Sequence, residues 1–410
     1  QRAGRAGRCQ RGICFRMYSE SRYQSMERFD VPEILRISLD EIFLQAMQLL
    51  RMRSDKPCDS TNVISFLLSS LDAPNRKSVE NAISNLVELG ALRSAKQNKI
   101  YELTTFGEVL ARLPVDPRIG KMLLVGLYFE CFDSILTIAT ASCYRTPFVL
   151  PLNDRDKKRA RQFFERFGAR QNSDHIALLN AFNGWTNAFS SGGRKAGEAY
   201  CRKNFLSTQT MYTLKGMRRQ LAQSLKEIGF NLRSKNANGK RLAVVKSIVA
   251  TALYPNVATR CGGKNFSWQK EKKLRIHRNS INADLKANAG SDGKSGEVFQ
   301  FLAFETCTRA QHGVYMENTS LVSPTSVVLL SADLSLSLSK NSTKDNEEDD
   351  NMTNRAAFLV FRLNPYISIH VEAQNAVLFR LLRTRFADCF YKFIEEKSGK
   401  SRKAKLNSLF

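Results

Sequence analysis

From Ser38 to Met52 the apolar residues Leu39, Ile42, Phe43, Ala46, Leu49 and Leu50 fall three, four or one apart, the repeat of one helix face. That predicts a helix with a core-facing stripe. Two shorter helices are expected at Val63–Leu71 and Ser78–Leu89. Gly90 follows the second where a helix stop is expected, and Asn98–Leu103 reads as a strand. Three helices and a small hairpin make a compact unit. Asp116 to Phe230 reads as helical throughout. Phe163, Phe164 and Phe167, then Ile176, Leu179, Phe182 and Trp185, keep packing intervals, so these aromatics belong in the core of a bundle. Ser173 or Asp174 has the side-chain oxygen that caps the helix carrying Trp185.

After about Lys240 the pattern changes to short apolar runs separated by turns: Phe299–Phe304, Val314–Met316, Val327–Leu330, Phe358–Val360 and Ile367–Val371. Several short strands in one stretch predict a small barrel or sandwich. Ser335 to Asn354 is low in complexity, with Asp345, Glu347, Glu348, Asp349 and Asp350 clustered, and reads as a solvated, disordered insertion between two strands. Residues from Lys397 to Lys405 form a basic tail, either a phosphate-binding arm or a solvated end. At the other end, Gly12–Tyr18 reads as one short buried strand, whose sheet is expected to lie mostly before residue 1.

The 410 residues allow two to four domains, and 43% hydrophobic residues suffice for several cores. A net charge of +25 changes the picture more, because it calls for a polyanionic partner whose counterions are released on binding. Nucleic acid leads, with a membrane surface or heparin-like polymer as the rivals that charge leaves open. Nine cysteines without a CxxC pair read as free thiols of a reducing compartment, cytoplasmic or nuclear, and zinc has no ligand spacing. No apolar run is long enough to cross a bilayer, and the N-terminus has no signal-peptide core.

The most informative string is Gln1-Arg2-Ala3-Gly4-Arg5-Ala6-Gly7-Arg8. Arg5 and Arg8 lie three apart, and two guanidiniums beside a glutamine suit a phosphoryl group in flight. A disordered RNA-binding tail would read similarly, but the apolar segment after it favours a folded setting. Gln1–Arg8 resembles motif VI of the DEAH-box (DExH) RNA helicases, and the likeness continues along nearly the whole chain. Pro32-Glu33-Ile34-Leu35-Arg36, Leu103-Thr104-Thr105-Phe106-Gly107 and Leu113-Pro114-Val115-Asp116-Pro117 resemble the two ends of the family's winged helix. Ser173-Asp174-His175 through Trp185, with Tyr200-Cys201 and Asn204-Phe205-Leu206, resembles its helical ratchet. Ala252-Leu253-Tyr254-Pro255-Asn256-Val257 and Ile276-His277 through Asn282 resemble its OB-fold.

The resemblance implies a multidomain α+β chain. The end of a RecA-like α/β domain would fill 1–20, a winged helix 21–113, an all-α ratchet (HA2) bundle 114–238 and a β-barrel OB-fold 239–396. The acidic insertion would lie near 335–355 and the basic tail at 397–410. It also implies that Gln1, Arg5 and Arg8 face the γ-phosphate of ATP, with its Mg2+, and that Arg5 and Arg8 act as arginine fingers. The intact protein would move 3′-to-5′ on single-stranded RNA. Two positions depart from the family pattern: Arg278 replaces the proline after His277, and Ala252 replaces a glycine.

A Walker A loop needs GxxxxGK[ST], and neither Gly293-Lys294-Ser295 nor Gly399-Lys400-Ser401 has the first glycine, since Asn288 and Ile394 stand there. Asp40-Glu41 is followed by Ile42 and Phe43, so it is no DExH box. This stretch alone is therefore expected to be inactive as an ATPase, and with its start at Gln1 it reads as a fragment. The expected RNA contacts are Lys272, Lys273, Arg275, His277 and Arg278, a basic cluster that could also be a solvated strand edge. His175, after the helix cap, reads as structural. The rival readings are a non-enzymatic RNA-binding module and a DNA-directed member of the same family.

Overall fold

A computed structural model describes residues 3–27, 29–53, 59–95, 100–168, 170–232, 236–285, 301–330, 335–338, 358–364 and 366–397. Gln1, Arg2, most of the acidic insertion and the basic tail lie outside the described residues.

After a short helix α1 (Glu20–Gln24), the first compact unit comprises α2 (Asp40–Arg53), α3 (Ser60–Leu68), α4 (Arg76–Leu89) and the antiparallel pair β1 (Leu92–Ser94) and β2 (Tyr101–Leu103). Phe43 and Met47 on α2 and Val63 on α3 are fully buried, as the helical spacing requires. Asp59 caps α3 by accepting from the backbone of Thr61 and Asn62. Gly90 ends α4 at φ 85°, a left-handed conformation that glycine adopts without strain, and turns the chain into β1.

α5 (Thr105–Ala111) leads into the bundle: α6 (Pro117–Tyr128), α7 (Phe132–Ser142), α8 (Asp154–Phe167), α9 (Asp174–Lys203) and α10 (Thr208–Ile228). Pro117 opens α6, where its missing N–H costs nothing, and Asp116 caps it. α9 is broken at Gly192–Gly193, with Gly193 at φ 67°, so its halves point differently. Trp185 is fully buried at the centre of a cluster with Phe182, Cys201, Met211 and Leu214. Burying such a side chain contributes ~1.5–3 kcal/mol.

α11 (Leu242–Leu253) passes the chain into a closed barrel of β3 (Val257–Gly262), β4 (Asn265–Trp268), β5 (Glu271–Ile276), β6 (Phe301–Ala310) and β7 (Gly313–Val322), in the order β3-β4-β5-β7-β6. Closure leaves no free edge. Phe266, Leu274, Leu302, Phe304 and Met316 fill the interior. α12 (Pro324–Leu330) follows. A separate antiparallel sheet is made by β8 (Ser335–Leu338), β9 (Phe358–Asn364) and β10 (Ile367–Glu372), and α13 (Ala373–Lys397) ends the described chain. Phe386, Phe390 and Phe393 of α13 meet Phe106, Tyr128, Phe129 and Phe230, tying the last helix to the bundle.

Four expectations need correction. Gly12–Tyr18 is not a buried strand: Ile13 and Phe15 are 80% and 82% exposed, and no described strand lies beside them to pair with. A strand without a neighbour leaves its backbone groups to water. Val327–Leu330 is helical, because Pro324 starts a helix that buries Val327 and Val328 against the main core. The strands at 358–364 and 367–372 form their own sheet and do not join the barrel. The first four residues of the expected disordered stretch, Ser335–Leu338, are a strand of that sheet.

Candidate nucleic-acid interface

The barrel is held in place by the first turn of α9. Ser173 caps the helix by accepting from the Ile176 amide, and its hydroxyl lies 2.5 Å from that of Ser320 on β7. Asp174 accepts from the backbone N–H of Ile281 at 2.9 Å and of Thr319 at 2.7 Å. His175 joins the Ser320 hydroxyl at 2.7 Å through Nδ1 and Glu305 at 3.1 Å through Nε2. Glu305 also accepts from Ser142 of α7 and from the Asn318 amide. Burial pushes the Asp174 carboxyl up against these hydrogen bonds. At Glu305 burial acts in the same sense, but His175, Ser142 and Asn318 outweigh it and hold the carboxyl below its ordinary range. Every charge in this contact is answered by several donors, the condition for burying it. His175 is thus structural, as expected.

That contact fixes one outer wall of the barrel beside α8. Leu274 of β5 points into the core while Arg275 points out, following strand alternation. β5 runs parallel to β7, which sets Arg275 opposite Tyr315. A groove of about 270 Å³ opens there, and five cations line it: Arg161 from α8, Arg260, Lys264, Arg275 and Arg278. Asp284 is the carboxylate among its described lining residues. Arg161 donates to the Arg278 carbonyl at 2.6 Å and to Asp284 at 3.3 Å, so helix and barrel share one charged surface. Arg260 stacks 4.8 Å from the Phe266 ring centre and donates to the Leu285 carbonyl at 2.8 Å. Burial lowers its guanidinium somewhat from the ordinary arginine range, which leaves it charged at any physiological pH. The His277 ring stands edge-on to Tyr315 at 6.2 Å.

Of the expected RNA contacts, the structure brings Arg275 and Arg278 into this groove. Lys272 and Lys273 are exposed on β5 but do not line it, and His277 sits at its side through Tyr315. Arg161, Arg260, Lys264 and Tyr315 were not foreseen. Only their charge or aromatic character was visible, and Arg161 reaches the site across more than a hundred residues of sequence. Chemically the groove can hold phosphate oxygens on fixed guanidiniums beside a ring. Arg5 and Arg8 lie elsewhere: both are exposed, and neither forms an ion pair or hydrogen bond among the described residues. Their guanidiniums are therefore open to a phosphate.

A bundle that carries a closed five-stranded barrel with a cationic groove defines a class: a helicase-associated pair of domains. Residues 116–178 match the helicase associated domain (HA2), ratchet-like, and residues 245–334 match the oligonucleotide/oligosaccharide-binding (OB)-fold. The chain belongs to the DEAH-box (DExH) RNA helicases and corresponds to their C-terminal region. It is 40% identical to the DExH-box ATP-dependent RNA helicase DExH1 of Arabidopsis thaliana over 69% of its length and 27% of that protein. It is 30% identical to the ATP-dependent RNA helicase DHX29 of Homo sapiens over 82% of its length and 24% of that protein. It is 33% identical to the ATP-dependent DNA/RNA helicase DHX36 of Mus musculus over 83% and 33%. The chain thus spans about a quarter to a third of the relatives it matches.

Proposed function

We propose that this chain is the RNA-gripping part of an ATP-dependent RNA helicase, and that the groove between α8 and β5 holds the backbone of a single strand. The observation that carries this reading is the convergence of Arg161, Arg260, Lys264, Arg275 and Arg278 on one face beside Tyr315, against Asp284. Five cations, of which Arg161 and Arg260 are held by hydrogen bonds, can neutralise successive phosphates without reading bases, and Tyr315 offers a ring for stacking. Lys272 and Lys273, exposed on the same strand, extend the positive field beyond the groove.

In the intact protein, ATP hydrolysis would drive 3′-to-5′ movement and unwinding or RNP remodelling. Gln1, Arg5 and Arg8 would meet the γ-phosphate, with Arg5 and Arg8 as arginine fingers, and ATP with Mg2+ would supply the phosphoryl chemistry. The open guanidiniums of Arg5 and Arg8 fit that role. The three helices and hairpin of α2–β2 would be the winged helix, hinging motor to ratchet. With no Walker A or DExH motif in its sequence, this chain alone would bind RNA and hydrolyse nothing.

Photocrosslinking of 4-thiouridine oligonucleotides to the purified chain, read by mass spectrometry, tests the site. Adducts on β5, on β7 around Tyr315 or on α8 are expected. Adducts confined to other surfaces would overturn the assignment.

A further inference from the structure

A second cationic surface lies on the helical bundle, apart from the barrel groove. α7, α9 and α10 enclose a cleft of about 640 Å³. On α9 it is centred on Trp185, about 16 Å of helix beyond the Asp174 contact with the barrel. Its floor is apolar, built by Leu136, Phe182, Trp185 and Phe189, and Leu232 extends it. Its α10 wall carries Lys215, Arg218, Arg219 and Lys226 around the small Ala222. Lys215, Arg219, Ala222 and Lys226 repeat at helical intervals, so they share one face over about 16 Å, or three turns.

Asp133 is the carboxylate among the described lining residues, and Arg218 already binds it at 2.5 Å. Lys215, Arg219 and Lys226 form no ion pair among the described residues. Phe182 and Trp185 are buried, and the half-buried Phe189 already carries a cation at its ring. The Lys215 Nζ lies 3.8 Å from the Phe189 ring centre, Arg218 lies 5.0 Å from that of Phe182, and Trp185 is fully buried. A single-stranded nucleic acid stacks its bases on open ring faces, and here two of the three rings are buried and Lys215 already occupies a face of the third. An apolar floor beside a cationic ridge three turns long, with a low saddle at Ala222, matches a different ligand.

We propose that the cleft is a docking site for an acidic amphipathic helix of a partner protein. The partner lays apolar side chains over Ala222 and Leu232. It sets carboxylates against Lys215, Arg219 and Lys226, and Arg218 stays with Asp133.

The probe is a fluorescein-labelled peptide of about eleven residues, the length of the ridge. It carries leucines at one helical face and glutamates elsewhere. It is titrated into the 410-residue chain by fluorescence anisotropy, with oligouridylate as competitor. Saturable binding is expected, weakened about tenfold or more by Arg219→Glu with Lys226→Glu, since reversal turns two attractions into repulsions. That double variant should retain the wild-type circular dichroism melt and wild-type oligouridylate affinity. Displacement of the peptide by oligouridylate, with both ligands weakened by the same substitutions, would make the cleft a nucleic-acid site and overturn the proposal. So would an absence of saturable peptide binding, or equal binding by the charge-reversed chain.

Discussion

Replacing Glu305 with alanine withdraws the carboxylate shared by His175, Ser142 and Asn318 where α9 meets the barrel. These groups surround a void of about 20 Å³. A buried polar group left unpaired costs ~1–3 kcal/mol; Ser142 keeps the Ile138 carbonyl as an acceptor, so His175 and Asn318 together would cost ~2–6 kcal/mol if neither found a new partner. The void already approaches the size of one water, and deleting the side chain enlarges it, so entering water offsets part of that sum. The expected loss is ~3–5 kcal/mol, the range found when one partner of a buried pair is removed. Glu305→Gln keeps the volume and one acceptor oxygen and should cost about half as much. Urea unfolding followed by tryptophan fluorescence reads both variants.

The pH dependence of that contact has a definite sign. The Glu305 carboxyl lies below its ordinary 4.5, because burial, which raises it, is outweighed by His175, Ser142 and Asn318. A depressed carboxyl contributes stability that is fully present above its unfolded pKa and lost as pH falls through the folded value. The gap between wild type and Glu305→Gln should therefore hold from neutral pH down toward the ordinary carboxyl value of 4.5 and shrink progressively as pH falls below it. An alanine variant within ~0.5 kcal/mol of wild type, or a gap that widens in acid, would refute the reasoning.

Lys121, half-buried as a residue with its amine enclosed, is lowered to about 8 by burial and by Arg383, with Glu88 opposing. Below that value the folded state must hold an enclosed charge, so Lys121→Met should exceed wild type in stability at neutral pH. The gain should fade as pH rises toward 10.5, which chemical denaturation across that range would check. Gly90→Ala places a Cβ at φ 85° and 2.6 Å from the Tyr391 hydroxyl, and should cost ~1–2 kcal/mol by the same measurement. Arg8→Ala in the intact helicase should abolish RNA-stimulated ATP hydrolysis while RNA affinity stays nearly unchanged. Lost binding with hydrolysis retained would sink the role assigned to Arg8.

The local features were the legible ones. Ser173 could be read as a cap because an N-cap needs only its own hydroxyl and the next turn. The positions of Phe43, Ala46 and Trp185 in cores followed from helical spacing, and Gly90 marked its stop, whereas the buried Met47 lay off the expected stripe and Leu49, which lay on it, is exposed. The partners of Asp174 and His175 could not be read, since Thr319, Ser320 and Glu305 approach only after the barrel closes. Arg161 carried no signal beyond its charge, since its contact with the Arg278 carbonyl depends on the same closure. α13 was missed because Ala376, Phe379, Phe390 and Phe393 face the core while Val377, Leu378, Leu381 and Leu382 stay exposed. A helix apolar on two faces blurs the amphipathic signal.

The most direct test of the central claim is the salt dependence of oligouridylate affinity for the wild-type chain and for Arg161→Ala, Arg275→Ala and Arg278→Ala combined. Each phosphate neutralised on a single strand contributes about 0.7 to the slope of log affinity against log salt. If these guanidiniums grip the strand, the triple variant binds more weakly at every salt concentration and its slope is shallower by about 2. Equal affinity and equal slope would place the RNA elsewhere on the chain and contradict the account.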